Sequence, residues 1–338
     1  MGQTNSANSP RGISNLTPKE RDCADNLILL CENCHNEVDK LAHADLFPIC
    51  KMKKIKYQHE ARIRAATKQV GSESTAIVRL SALIRDAPVE ISAKIAANAI
   101  LKTSDRFPSL RFTYDRQGVE IDLRDFPDES IPTDLYYQNC ARRIDEQLDR
   151  IIRPAIRKGE IQHISVFAMA RLPLLVYFGS RLDDTIDCDI YEPRSEIAPW
   201  IWGEKTKPVE FIWRCNSEPS DTSTEAVLVV NASGTTHTPP TQLAPLPTYT
   251  IEPVGETPKV GTVSSRATLM SFERILRDLL GELESSVKNL ERLHVLAAAP
   301  VSVAITIGRS IGWGIHPNLV TYDLINKTYR FAMEITPP

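Results

Sequence analysis

The chain has 338 residues, with 40 Lys and Arg against 43 Asp and Glu, a net charge of -3 and 42% hydrophobic residues. That length accommodates about two domains of ordinary size, and the slight acidity excludes a protein that coats nucleic acid over its whole surface, so any such contact falls to a local basic stretch. No run approaches the roughly 20 apolar residues of a membrane helix, and the scattered cysteines, Cys23, Cys31, Cys34, Cys50, Cys140, Cys188 and Cys215, make no disulfide framework, which points to a reducing cytoplasm.

From Met1 to about Arg21 the sequence is rich in Asn, Ser, Gly and Pro and reads as loop. Its first six residues fit the N-myristoylation pattern, but no adjacent basic cluster adds a second membrane signal, so no membrane partner is expected. Residues 26–30 form an apolar strand candidate that delivers Cys31-Glu32-Asn33-Cys34-His35 onto the start of a helix. Thiolates and imidazole at that spacing can converge on one ion, which makes Cys31, Cys34 and His35 candidate metal ligands. Cys50 to Lys68 is a basic helix carrying Lys51, Lys53, Lys54, Lys56, Arg62, Arg64 and Lys68 against Glu60. Such a run is either a solvated face or a phosphate-contacting one. Gln69 to Thr75 reads as a hinge, Ala76 to Thr103 as helix, and Arg111 to Leu123 as a hairpin turning at Arg116-Gln117-Gly118.

An internal repeat follows. One unit runs from a helix (about Asp134 to Lys158) through a strand (His163 to Ala168), a loop (Met169 to Pro173) and a helix containing Gly179 to a strand (Thr185 to Tyr191). The other repeats that order: helix (about Ala267 to Leu293), strand (His294 to Ala298), loop (Ala299-Pro300), helix with Gly308 (Val301 to Ile311) and strand (Leu319 to Asp323). Two such units predict a duplicated α/β module with mainly parallel sheets. Between them lie strand candidates at Phe211 to Trp213 and Ala226 to Val230, then a Pro-rich excursion from Pro239 to Pro258.

In open parallel sheets, ligands sit beyond the C-terminal strand ends, where helix starts present free N–H groups to anions. Arg171, Leu172 and Pro173 occupy that position in one unit, and Pro300 and Ser302 in the other. Tyr191, Arg194, Trp200 and Trp202 add aromatic and cationic groups suited to a nucleotide, although each Trp is as readily a core residue. No Ser-His-Asp order, P-loop or Gly-rich dinucleotide turn marks the large region as an enzyme of its own.

The segment Asn26-Leu27-Ile28-Leu29-Leu30-Cys31-Glu32-Asn33-Cys34-His35, with Lys56-Tyr57-Gln58-His59-Glu60 behind it, resembles the C-terminal half of an HNH endonuclease over about residues 10 to 66. The resemblance implies a ββα-metal site in which His35 holds a divalent cation such as Mg²⁺ against the scissile phosphate and Asn26 fixes the loop. An earlier His should polarise the attacking water, and residues 1–25 contain none. The family's upstream Cys-x-x-Cys, which completes a structural Zn site, is absent too. Cys23 and Cys50 are irregularly spaced substitutes, and His43 and His59 fall on downstream helical segments. The sequence is expected to lack the start of this domain, through truncation, gene-model error or evolutionary loss.

The larger region resembles the SAVED domain, a fusion of two CARF-like (Rossmann-like) modules that binds cyclic oligonucleotides. The resemblance rests on Val166-Phe167-Ala168 to Pro173-Leu174-Leu175, Phe178-Gly179, Trp200-Ile201-Trp202, Pro300 to Ala304 and Gly308-Arg309. The expected organisation is an α/β chain with a partial HNH domain at 1–66, a linker or helix at 67–87, and a SAVED domain at 88–338 with pseudo-repeats at about 134–210 and 267–338. It implies a bacterial, cytoplasmic anti-phage (CBASS) effector that binds a cyclic di- or trinucleotide, cGAMP among them. Self-association from dimer to tetramer or beyond would then activate cleavage of double-stranded DNA. Without the first His, binding without efficient cutting is expected of this chain, since a lost general base costs about 10² to 10⁴-fold. The alternatives are a non-catalytic ligand-binding regulator whose zinc-ribbon-like N-terminal segment binds DNA or dimerises, and a zinc-ribbon module fused to an enzyme-like α/β domain.

Overall fold

The computed structural model describes residues 9–67, 74–84, 87–88, 91–109, 118–127, 129–182, 186–194, 200–203, 207–220, 223–287, 289–312 and 314–337. The chain divides into two compact units, Met1–Ser72 and Glu73–Pro338.

The described residues of the first unit include the α-helices α1 (Pro18–Arg21), α2 (Glu32–Val38) and α3 (Ile49–Thr67). Thr17 and Glu20 close a capping box on α1, each satisfying an N–H the helix leaves open. The guanidinium of the buried Arg21 gathers the carbonyls of Gly12, Leu16 and Ser14, and Arg11 ties the loop to Val38 and Asp39. Polar bonds carry much of this unit's order, because Val38 and Met52 are its buried apolar side chains among the described residues. The predicted strand at residues 26–30 is absent: residues 24–26 form a 3₁₀ turn and 27–31 run extended without a partner strand, leaving Leu29 91% exposed. The basic helix is present as α3.

The second unit is built from two α/β modules. The first contains β1 (Ser74–Ser81), a small hairpin β2 and β3 (Leu83–Ile84, Ala87–Pro88), α4 (Ala93–Thr103), β4 (Phe107–Ser109) and β5 (Val119–Asp122). It continues with α5 (Asp134–Gln147), joined by a π turn at 148–152 to α6 (Arg153–Arg157), then β6 (His163–Met169), α7 (Leu172–Arg181) and β7 (Asp187–Ile190). Its sheet is parallel, in the order β4-β1-β6-β7, with β5 also pairing β1.

The second module comprises β8 (Phe211–Ser217), β9 (Glu225–Asn231), β10 (Thr248–Pro253), α8 (Arg266–Ser286), β11 (Arg292–Ala298), α9 (Val301–Arg309), β12 (Asn318–Ile325) and β13 (Thr328–Ile335). Its six strands run β13-β12-β11-β9-β10-β8, parallel in the middle with antiparallel β8 and β13 at the edges. The larger apolar cluster runs through both modules and includes Leu174, Val176 and Phe178 of α7 with Val303, Ile305 and Ile307 of α9, and a smaller one in the second module includes Val227, Leu296 and Tyr322. Among the described residues no helix is long and apolar enough to cross a membrane.

The duplicated α/β architecture is therefore present, with corrections. Residues 76–103 are not one helix: β1 is a fully buried central strand, and only Ala93 onward is helical, so the expected linker or helix at 67–87 contains a core strand. Residues 111–117, the first half of the expected hairpin with Arg116 and Gln117, lie outside the described residues, as do 69–73 of the expected hinge. The second half, β5, pairs with β1 in parallel. The Pro-rich excursion folds back as β10, and β13 extends the second sheet beyond the repeat read from sequence.

Candidate functional site

The two modules carry the same strand-helix-strand element, and their ladders fix the correspondence. His163 pairs with Asp187 as Arg292 pairs with Asn318. Along β6-α7 and β11-α9 this aligns Arg171 with Pro300 and Gly179 with Gly308; along β7 and β12 it aligns Tyr191 with Tyr322 and Glu192 with Asp323. The helices α7 and α9 pack directly on each other, so the C-terminal ends of β6 and β11 both lead into the interface between the modules.

Each aligned carboxylate crosses to the other module. Glu192, behind β7, accepts a 2.7 Å hydrogen bond from the Ser302 N–H in the first turn of α9, with the Val301 N–H also acting on it. Asp323, in β12, accepts 2.6 Å bonds from Arg171 Nη1, at the N-cap of α7, and from the Tyr137 hydroxyl of α5. Arg171 Nε also lies 2.9 Å from Glu129 Oε1, and its guanidinium donates to the Glu129 carbonyl. Burial pushes Glu192 up to about 7, offset in part by its hydrogen bonds and by Arg194. Burial and the Asp323 charge raise Tyr137; Arg171 is raised as well, its own burial being outweighed by Asp323 and Glu129.

These contacts correct the expectation of free anion sites at both helix starts. Ser302 is fully buried and its N–H is already taken, while Arg171 is committed to Glu129 and Asp323. Pro173 is buried, and Leu172 and Pro300 are half-buried. Tyr191 is a core residue stacked on Phe167 at 4.3 Å, and Trp200 meets the same ring edge-on at 5.5 Å. Arg194 is exposed and bonds the Ser264 carbonyl at 2.9 Å. Trp202 helps to line a cleft of about 350 Å³ with Thr103, Gly203, Pro208, Ser265, Arg266 and Ala267. Arg266 there pairs with Asp189 at 2.8 Å and lies over the Tyr191 ring.

Sequence reasoning passed over Glu129, Tyr137, Glu192, Arg266 and Asp323. A signal for two of them was present: Ile190-Tyr191-Glu192 and Thr321-Tyr322-Asp323 repeat a Tyr-acid pair at equivalent strand positions.

In the N-terminal unit, Asn26 Nδ2 donates to the Arg21 carbonyl at 2.9 Å and so fixes the loop before the cysteines. Cys31 is the N-cap of α2, and its thiol is held below the usual range by hydrogen bonds from Cys34. His35 turns instead to Asp39, 3.4 Å away along the helix. Among the described residues no three His, Cys, Asp or Glu side chains are grouped to hold a metal. Cys23 and Cys50 are exposed and join no such set; His43 lies against Glu37 and His59 against Arg62.

The model of a family described as "SMODS-associated and fused to various effectors sensor domain", SAVED, matches residues 144–335. An Acinetobacter baumannii Cap4 SAVED/CARF-domain containing receptor, solved with the cyclic trinucleotide 2′3′3′-cAAA, superposes with a TM-score of 0.53 at 16% identity, over 92% of this chain and 63% of that one. A Moraxella osloensis Cap4 SAVED/CARF-domain containing receptor matches with a TM-score of 0.48 at 16% identity, over 78% of this chain and 50% of that one. No curated protein matches the chain. At such identities the likeness is one of fold, and the chain spans about 63% of the length of the A. baumannii receptor.

Proposed function

The chain belongs to the SAVED family of sensor domains, and from that premise we propose that it is the receptor component of a bacterial anti-phage system, binding a cyclic di- or trinucleotide. The observation that carries this reading is the fused pair of α/β modules, in which β6 and β11 each lead into one of the two helices packed at the α7–α9 interface. Ligands of open parallel sheets bind beyond such strand ends. The bound cyclic trinucleotide of the A. baumannii receptor supports the same ligand class here. Arg194 and the Arg266–Trp202 cleft supply the exposed cation and aromatic wall that phosphates and bases require.

We further propose that the N-terminal unit is part of an HNH-type nuclease acting on double-stranded DNA. Its support is the order Asn26, Cys31, Cys34, His35 and the exposed Lys51, Lys53, Lys54 and Arg62 of α3, a surface suited to phosphates. In this reading ligand drives self-association, which requires tighter binding to the assembled form. Efficient cutting in this reading requires a His upstream of Asn26, and residues 1–25 contain none. His35 paired with Asp39, away from a metal-holding group, favours a second reading: a ligand-binding regulator whose N-terminal unit anchors DNA or a second copy.

The test is to titrate the chain with cyclic di- and trinucleotides while following thermal stability, mass by light scattering, and plasmid integrity. Stabilisation and assembly without cleavage, with cleavage restored by fusing an upstream strand bearing a His, supports the nuclease reading. Stabilisation with no rescue supports the regulator. No stabilisation by any cyclic nucleotide overturns the sensor reading.

A further inference from the structure

The two cross-module carboxylates share a position and differ in chemistry. Asp323 meets a guanidinium and a phenol, because Arg171 stands at the start of α7. The residue aligned with Arg171 is Pro300, which has no donor. Glu192 therefore rests on backbone: the Ser302 N–H of α9 donates to it and the Val301 N–H acts on it as well, and Arg194, on its own loop, is a charge acting on it.

This makes Glu192 the hold of the first module on the interface helix of the second. It stands immediately after Tyr191, whose ring stacks in the core of its own module, so one end of the link is fixed. The other end is the first turn of α9, whose N–H groups have no intrahelical acceptor. Between these ends runs the strand-end face, with Arg194 two residues along the same loop.

We propose that Glu192 is a positioning residue for the ligand face: a latch that sets the spacing of the two modules, closed in the free protein and loosened when its carboxyl is charged. Its ligand arm rests on the sensor reading; its conformational arm does not. The physical basis is that burial penalises the charged form more than the N–H groups and the helix start repay. Deprotonation at neutral pH therefore favours any state that returns the carboxylate to water. A neutral glutamine offers α9 the same acceptor oxygen without that bias. At the opposite crossing Asp323 instead meets the Arg171 guanidinium at 2.6 Å.

The experiment compares the full chain with Glu192→Gln and Glu192→Ala at about pH 6 and about pH 8. Amide exchange at residues 301–304, corrected for intrinsic rates, reports the latch directly. Affinity for 2′3′3′-cAAA, by calorimetry, reports the face. In the ligand-free protein Glu192→Ala should exchange about five- to tenfold faster in that turn, the loss expected of a helix cap. Glu192→Gln should match the wild type at the lower pH and be better protected at the higher one. Affinity should follow the same order, with wild type weakening several-fold as pH rises and Glu192→Gln holding level. Parallel pH profiles for wild type and Glu192→Gln, or unaltered exchange in Glu192→Ala, overturn the proposal. If 2′3′3′-cAAA binds none of the three, the sensor reading fails for that ligand and the exchange data alone decide the latch.

Discussion

Gly179 and Gly308, aligned in the repeat, face each other's helices at the module interface. A Cβ on Gly179 would lie 2.1 Å from the Ile305 carbonyl oxygen, and one on Gly308 would lie 1.9 Å from that of Val176. Neither contact can be relieved by a side-chain rotation, because the obstacle is backbone. The two helices thus approach as closely as they do only because both residues lack a side chain.

Gly308→Ala should accordingly be destabilising although alanine is the better helix former. Overpacking costs about 1 to 3 kcal/mol or more, against a propensity gain of about 1 kcal/mol. Gly281, in α8 with nothing within 4 Å of its missing Cβ, is the internal control. Thermal melts should show Gly281→Ala at or above the wild-type midpoint and Gly308→Ala several degrees below it. Equal midpoints would mean the helices separate easily and the interface is not tightly set.

Glu192 gives the protein a stability that declines toward alkaline pH. Its folded-state value is raised from 4.5 to about 7, so its contribution is fully present below 4.5 and is lost as pH rises through about 7. The loss is bounded at roughly 3 kcal/mol. Glu192→Gln should be more stable than wild type in urea at about pH 8, and its advantage should grow as pH rises from 4.5 to about 7 and then hold level. A constant difference between the two proteins from 4.5 to about 7 would show that folding does not raise the carboxyl.

What was legible in the sequence was the element that repeats. The strand-helix-strand of β6, α7 and β7 and that of β11, α9 and β12 were visible because each joins a buried apolar strand to an apolar helix through a short loop, with Gly at the same helical position. β1 was not: Ala76-Ile77-Val78-Arg79-Leu80 is covered on both faces of a parallel sheet and so lacks the alternation that separates strand from helix. The site was half legible. Arg171 and Ser302 were found because helix starts are marked in sequence, but their partners lie 152 and 110 residues away. Charge alone suggested that the positions would be open to a ligand; topology fills them with Asp323 and Glu192. The aromatic cluster misled for a similar reason, since Tyr191 and Trp200 pack on Phe167, a contact no local pattern announces.

The Arg171 crossing predicts a coupled loss. The side chains of Glu129 and Asp323 are 2% and 10% exposed, and each faces the guanidinium. Arg171→Met leaves both carboxylates buried without it, a change that costs about 3 to 5 kcal/mol. Adding Asp323→Asn removes one of those charges and should return part of the loss. Urea midpoints for the two single variants and the double variant measure the coupling; strict additivity would show that the ion pair contributes nothing of its own.

His163 tilts stability the opposite way from Glu192. It is buried at the start of β6, with Nδ1 2.8 Å from Thr75 Oγ1, which in turn lies 2.9 Å from Ser165 Oγ. Burial lowers it from 6.5 to about 4, although Asp189, 3.8 Å away, opposes the shift. A His held neutral by the fold contributes stability that is fully present above 6.5 and is lost as pH falls through about 4. Between 4.5 and 6.5 the two groups oppose each other, because acid protonates His163 in the unfolded chain while base ionises Glu192 there. The wild type should therefore hold a broad plateau of stability over that interval. His163→Gln should remove the acid-side decline and leave the alkaline one, whereas Glu192→Gln should do the reverse. Chemical denaturation of the three proteins at intervals of about one pH unit resolves the slopes. If His163→Gln falls as steeply in acid as the wild type, the imidazole is already charged in the folded sheet and the Thr75 bond does not hold it neutral.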